Sequence, residues 1–90
     1  MAELAADVLS EVRLVARREL DFEGAIEPAH ALAGDLRLDS LGMIVVAVAL
    51  ENRFRVRLQE EDAGQLATVG DLVDLVCRRV AEQHARGASP

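Results

Sequence analysis

Ninety residues with 16 acidic and 10 basic side chains, a net charge of −6 at pH 7, make room for one small domain and argue against nucleic acid as a partner. The negative balance favours partners with basic docking patches. A lone cysteine, Cys77, excludes an internal disulfide. No segment nears the ~18 apolar residues that span a bilayer, and the first residues lack a signal-like pattern, so a soluble, cytoplasmic protein is expected.

Leu4, Val8, Val12 and Val15 recur at helical spacing with Glu3, Asp7, Glu11 and Arg18 between them, which predicts an amphipathic helix from about Ala2 to Glu19. From Leu20 to Asp39 the pattern breaks at Gly24, Pro28 and Gly34, giving a long loop pinned by Leu20, Phe22, Ile26, Leu32 and Leu36. A loop of this length inside a compact domain calls for a function. It leads into Asp39-Ser40-Leu41-Gly42 and then the run Met43 to Phe54, which contains no helix breaker. The second helix therefore spans about Ser40 to Phe54, and Ser40 sits where unpaired N–H groups gather. A serine there is also a good helix cap, and that alone could explain it. The charged and apolar residues alternating over 55–59 read locally as a strand, but no second strand is available to pair with it. A short helical turn near Glu61 to Leu66 follows. Thr68 and Asp71 then resemble a capping box opening the last helix, whose inward stripe is Val69, Leu72, Val73, Val76 and Val80. Cys77 falls in that helix, where a buried, reduced thiol is expected. The predicted fold is all-α, an irregular four-helix bundle of three main helices and one short one, with a long loop between the first two. Residues 1–85 form one domain and 86–90 a frayed tail.

The approach Leu32-Ala33-Gly34-Asp35-Leu36-Arg37-Leu38, the Asp39-Ser40-Leu41 triplet, the helix end Ala49-Leu50-Glu51-Asn52-Arg53-Phe54 and the later Thr68-Val69-Gly70-Asp71-Leu72 occur in an order and spacing that resembles the acyl carrier protein family. The resemblance covers most of residues 4 to 82. It implies a carrier and not an enzyme. A phosphopantetheinyl transferase would move 4′-phosphopantetheine from coenzyme A onto the Ser40 hydroxyl, and acyl groups would travel as thioesters on the arm. Asp39 and Leu41 would serve recognition of the site. The implied further partners are acyltransferases or ligases and ketosynthase-type enzymes, met by a monomer.

No catalytic set competes. His30 and His84 are read as solvent-facing and lack the neighbours that would activate Ser40 as a nucleophile. One cysteine and two distant histidines give no metal-ligand spacing, and Glu60-Glu61-Asp62 lacks that of a calcium loop.

Departures from the family pattern bear on partners. Gly42, Val45, Asn52 and Arg53 stand where carriers of primary fatty acid synthesis often have carboxylates, leaving Glu51 and a more apolar docking face. Val45 reads either as partly core or as an exposed contact. The expected docking residues are Arg37, Met43, Val45, Glu51, Arg53, Glu60 and Glu61, with Arg55 and Arg57 extending a basic patch. These features favour a free-standing carrier of polyketide or related natural-product assembly over housekeeping fatty acid synthesis. A carrier of activated amino acids on the same scaffold, or an unmodified helical interaction module, remains open.

Overall fold

The computed structural model describes residues 2–87; the side chains of Ala2, Glu60, Ala63 and residues 84–87 lie outside that description. The chain is all-helical: α1 covers Ala2–Glu19, α2 Ser40–Phe54 and α4 Val69–Gly87, while Glu60–Ala63 forms a single turn, α3. There is no strand among the described residues. The only β-type pairing among them is an isolated bridge between Ala31 and Thr68. The short turn comes slightly earlier than the sequence predicts, and α4 runs into the expected tail, of which Ala88, Ser89 and Pro90 lie outside the described residues. No helix among the described residues is long and apolar enough to cross a membrane.

α1 packs against both α2 and α4. Its stripe of Val8, Val12, Val15 and Ala16 is buried with Val46 and Leu50 of α2 and with Val69, Leu72, Val73, Val76 and Val80 of α4. Burying one such valine or leucine is worth ~1.5–3 kcal/mol, so aliphatic side chains supply most of what holds the helices together. Phe22 and Phe54 are half-buried at its margin.

The loop between α1 and α2 owes its order to two kinds of tie. Ile26, Leu32 and Leu36 drop their side chains into the core. Its backbone is stitched to the start of α4: Leu32 N–H donates to Ala67 O at 2.9 Å, Val69 N–H to His30 O at 2.9 Å and Gly70 N–H to Pro28 O at 2.8 Å. A Cβ on Gly70 would lie 3.1 Å from that same Pro28 oxygen, so the close approach favours glycine. His30 is half-buried here, its Nδ1 accepting the Glu27 N–H at 3.0 Å, and is not the solvent-facing residue the sequence implied. The expected capping box is present, with Asp71 N–H on Thr68 Oγ1 at 3.1 Å and Thr68 N–H on Asp71 Oδ2 at 3.1 Å. Leu38 N–H then donates to Leu32 O at 3.0 Å, which sets the last step before Asp39.

Candidate functional site

α2 opens with a division of labour between adjacent residues. Asp39, in an extended conformation, is the N-cap, and its Oδ1 accepts the Gly42 N–H at 2.7 Å. The Asp39 carbonyl takes the Met43 N–H at 2.9 Å. The cap bond that the sequence allowed Ser40 to make is therefore made by its neighbour, because the chain turns helical one residue earlier than a serine cap would need. Ser40 is the first helical residue, and it is exposed. Of the N–H groups that a helix leaves unpaired at its start, those of Ser40 and Leu41 remain at this end. Gly42 is buried: a Cβ there would come 3.2 Å from Leu38 Cδ2 and 3.3 Å from Asp39 Oδ1, so the missing side chain gives room to the cap.

Beside Ser40 an open groove of about 790 Å³ runs along α2 to α3 and α4. Leu38, Met43, Ile44, Ala47, Val48, Leu58, Leu66, Leu72 and Leu75 make it predominantly apolar, while Asp39, Glu51 and Asp62 border it. Each of these carboxylates is held within the chain. Glu51 Oε2 accepts the Leu58 N–H at 2.8 Å, tying the segment after α2 back onto the helix. Asp62 takes the Arg79 guanidinium at 2.8 Å. That guanidinium bond, helped by the Gln59 N–H, lowers the Asp62 pKa from its ordinary value of 3.8. The Asp71 pKa is lowered likewise, by the N–H groups of Ala67 and then Thr68.

The residues expected to meet partners scatter over several surfaces. Arg37 is exposed, in a left-handed conformation at φ 57°. Met43 and Val45 are half-buried against the core, Val45 thus standing between its two readings. Arg53 turns toward α1, 3.9 Å from Glu11 and stacked 5.0 Å over the Phe54 ring. Glu61 is exposed, and the side chain of Glu60 lies outside the described residues. Cys77 is half-buried at the core's edge and not enclosed in it. Burial, then the neighbouring Asp74 charge, raises its thiol above the ordinary 9.0, so it is protonated at neutral pH.

Sequence reasoning singled out Leu41 on the outer face of α2 and missed Ile44 and Val48. Leu41, Ile44 and Val48 are 67%, 57% and 46% exposed. Over 41–50 α2 is apolar on every side, so its periodicity does not say which side turns inward. The usable signal is Gly42, Val46 and Leu50 at four-residue spacing, which marks the buried face opposite.

The comparisons with known proteins agree with this arrangement. The family model described as "Phosphopantetheine attachment site" matches residues 3–76. The chain is 31% identical over 77 residues to the acyl carrier protein of Thermosynechococcus vestitus, covering 84% of this chain and 95% of that one. It is 41% identical over 51 residues to the acyl carrier protein of Acidothermus cellulolyticus, covering 57% of this chain and 61% of the relative. The crystal structure of an acyl carrier protein from Thermotoga maritima superimposes with a TM-score of 0.79 at 19% identity, over 88% of this chain and 93% of that one, which carries the fold. With the family model covering most of the chain and a full-length relative beside it, the chain belongs to the acyl carrier protein family, whose members are non-catalytic carriers of covalently attached 4′-phosphopantetheine.

Proposed function

We propose that Ser40 is the residue that takes the 4′-phosphopantetheine arm, and that the chain shuttles acyl groups among enzymes of a specialised, polyketide-type pathway. The observation that carries the assignment of Ser40 is the capping by Asp39, which leaves an exposed serine hydroxyl at the start of α2 with the apolar groove beside it.

The residues present suit the group. A phosphodiester on Ser40 would lie at the positive end of α2, near the N–H groups of Ser40 and Leu41. Asp39, its Oδ1 bound to Gly42, keeps the site's geometry fixed while a transferase works on it. Once attached, the arm supplies a terminal thiol that carries acyl groups as thioesters. The leucines, Met43 and Ile44 lining the groove offer an acyl chain shelter at ~0.8 kcal/mol per buried methylene.

The pathway reading rests on α2, whose outer side bears Leu41, Ile44 and Val48 in place of a row of carboxylates. We further read residues 1–85 as one monomeric domain, a four-helix bundle with Glu60–Ala63 as its short member, supported by the packing of α1 on both α2 and α4.

The test is intact mass after incubation with coenzyme A, magnesium and a broad-specificity phosphopantetheinyl transferase, for the parent and Ser40→Ala. A gain of one phosphopantetheine on the parent alone is expected. Because Asp39 is the cap, Ser40→Ala should stay within about 0.5 kcal/mol of the parent in stability, so lost loading would not reflect unfolding. A folded parent that gains nothing, beside a known carrier that does, would return Ser40 to a structural role.

A further inference from the structure

The three carboxylates that border the groove beside Ser40 are already bonded within the chain: Asp39 to the Gly42 N–H, Glu51 to the Leu58 N–H and Asp62 to Arg79. The cations beyond them are not. Arg55 and Arg57 are exposed and form no ion pair among the described residues. They line a second depression, of about 730 Å³, which shares Glu51, Leu58 and Gln59 with the groove and so adjoins it. Between Ser40 and these arginines, Leu41, Ile44 and Val48 form a strip along the outer face of α2. One surface thus leads from Ser40 over exposed aliphatic groups to a cationic end, a distance of about 20 Å at the helical rise.

Resting on the reading of Ser40 as the anchor of the arm, we propose that the enzymes serving this carrier dock on this face through an apolar depression beside their active-site mouth and a pair of carboxylates about 20 Å from it. An enzyme that takes up the arm at its root on Ser40 meets the adjoining start of α2, where Leu41 and Ile44 stand out. The net charge of −6 would by itself favour a basic partner. At the far end of the strip, however, a basic partner would meet two like charges, whereas an acidic one would pair with Arg55 and Arg57. The aliphatic strip supplies contact area, and the arginines supply orientation and a salt-sensitive attraction.

The experiment is an NMR titration of the isotopically labelled carrier with two synthetic amphipathic helical peptides that share a leucine and phenylalanine face. One carries glutamates at its end and the other lysines. The glutamate peptide is expected to bind more tightly, shifting the amides of Leu41, Ile44, Val48, Arg55 and Arg57. The double variant Arg55→Glu/Arg57→Glu should weaken it about three- to tenfold and reverse the preference. Arg57→Glu alone, which leaves the helix end untouched, serves if the double variant loses structure. Equal binding of both peptides, tighter binding of the lysine peptide, or shifts confined to another face would overturn the proposal. Self-association of the parent that Arg57→Glu abolishes would overturn it too, by assigning the face to a second copy. The mass-gain assay on the parent is read separately: loading without the peptide preference sinks this inference and spares the anchor.

Discussion

Asp39 holds the Gly42 N–H at 2.7 Å through Oδ1 and so relieves the adjacent Ser40 of the helix-capping task. Replacing Asp39 by alanine removes the cap at a cost of about 1 kcal/mol, while asparagine, which caps comparably, retains most of it. Urea denaturation of the two variants checks this. Equal losses for both would mean that the charge, and not the hydrogen bond, is what α2 needs.

Gly70→Ala tests the stitch between the loop and α4. Alanine gains helix propensity, but its Cβ would face a backbone oxygen, Pro28 O, at 3.1 Å, and the Gly70 N–H bond to that oxygen would have to lengthen. We expect a net loss of about 1–2 kcal/mol by chemical denaturation. A neutral result would show that residues 28–30 can shift at little cost.

At the other end of α2, Arg55 adopts φ 58°, ψ 46° and sends its N–H to Glu51 O, with Val56 N–H reaching the same oxygen at 3.3 Å. This is the position where helices commonly end in glycine. Arg55→Gly should raise stability by about 0.5–1 kcal/mol, the relief of left-handed strain being partly offset by a freer unfolded chain. Thermal and urea midpoints that fall instead would show that the arginine stem makes packing contacts worth more than the strain.

Acid should loosen two particular contacts. The pKa values of Asp62 and Asp71 lie below 3.8 in the folded chain, Asp62 chiefly through Arg79 and Asp71 chiefly through the Ala67 N–H. A depressed carboxylate contributes stability that is complete above its unfolded value and is lost as pH falls through its folded one. Stability should hold from pH 7 to about 5 and decline below 4. Asp71→Asn should flatten part of that decline in denaturation series at stepped pH, and an unchanged slope would exclude Asp71 from it.

The two thiols of a loaded protein should differ in reactivity. Cys77 is half-buried, and burial together with Asp74 raises its pKa, whereas a thiol at the end of an arm is solvated. With a chromogenic disulfide at pH 8, the loaded form should show one fast thiol, and Cys77 should react slowly until denaturant is added. A fast Cys77 in the unloaded protein would contradict its placement at the core's edge.

The long helices were readable because their apolar residues repeat at helical spacing: Val8, Val12 and Val15 in α1, and Val69, Leu72, Val73, Val76 and Val80 in α4, all turn inward. The Thr68–Asp71 capping box was readable from two residues. At the start of α2, Asp39 and Ser40 are both good caps, and composition does not choose between neighbours; backbone conformation does. Ile44 and Val48 were hidden for a different reason, since the unbroken apolar run over 41–50 has no polar side to mark solvent. The Glu51 carboxylate reaching Leu58 N–H and the bridge between Ala31 and Thr68 join residues with no shared period, and only the folded chain brings them together.

The bonds from residues 28–32 to Ala67, Val69 and Gly70 make the setting of Ser40 depend on chain that is synthesised well after it. On a ribosome, the serine emerges long before the residues that brace its loop. On the proposal that Ser40 takes the arm, a transferase that needs the folded surroundings of Ser40 would pass over chains that end before Gly70.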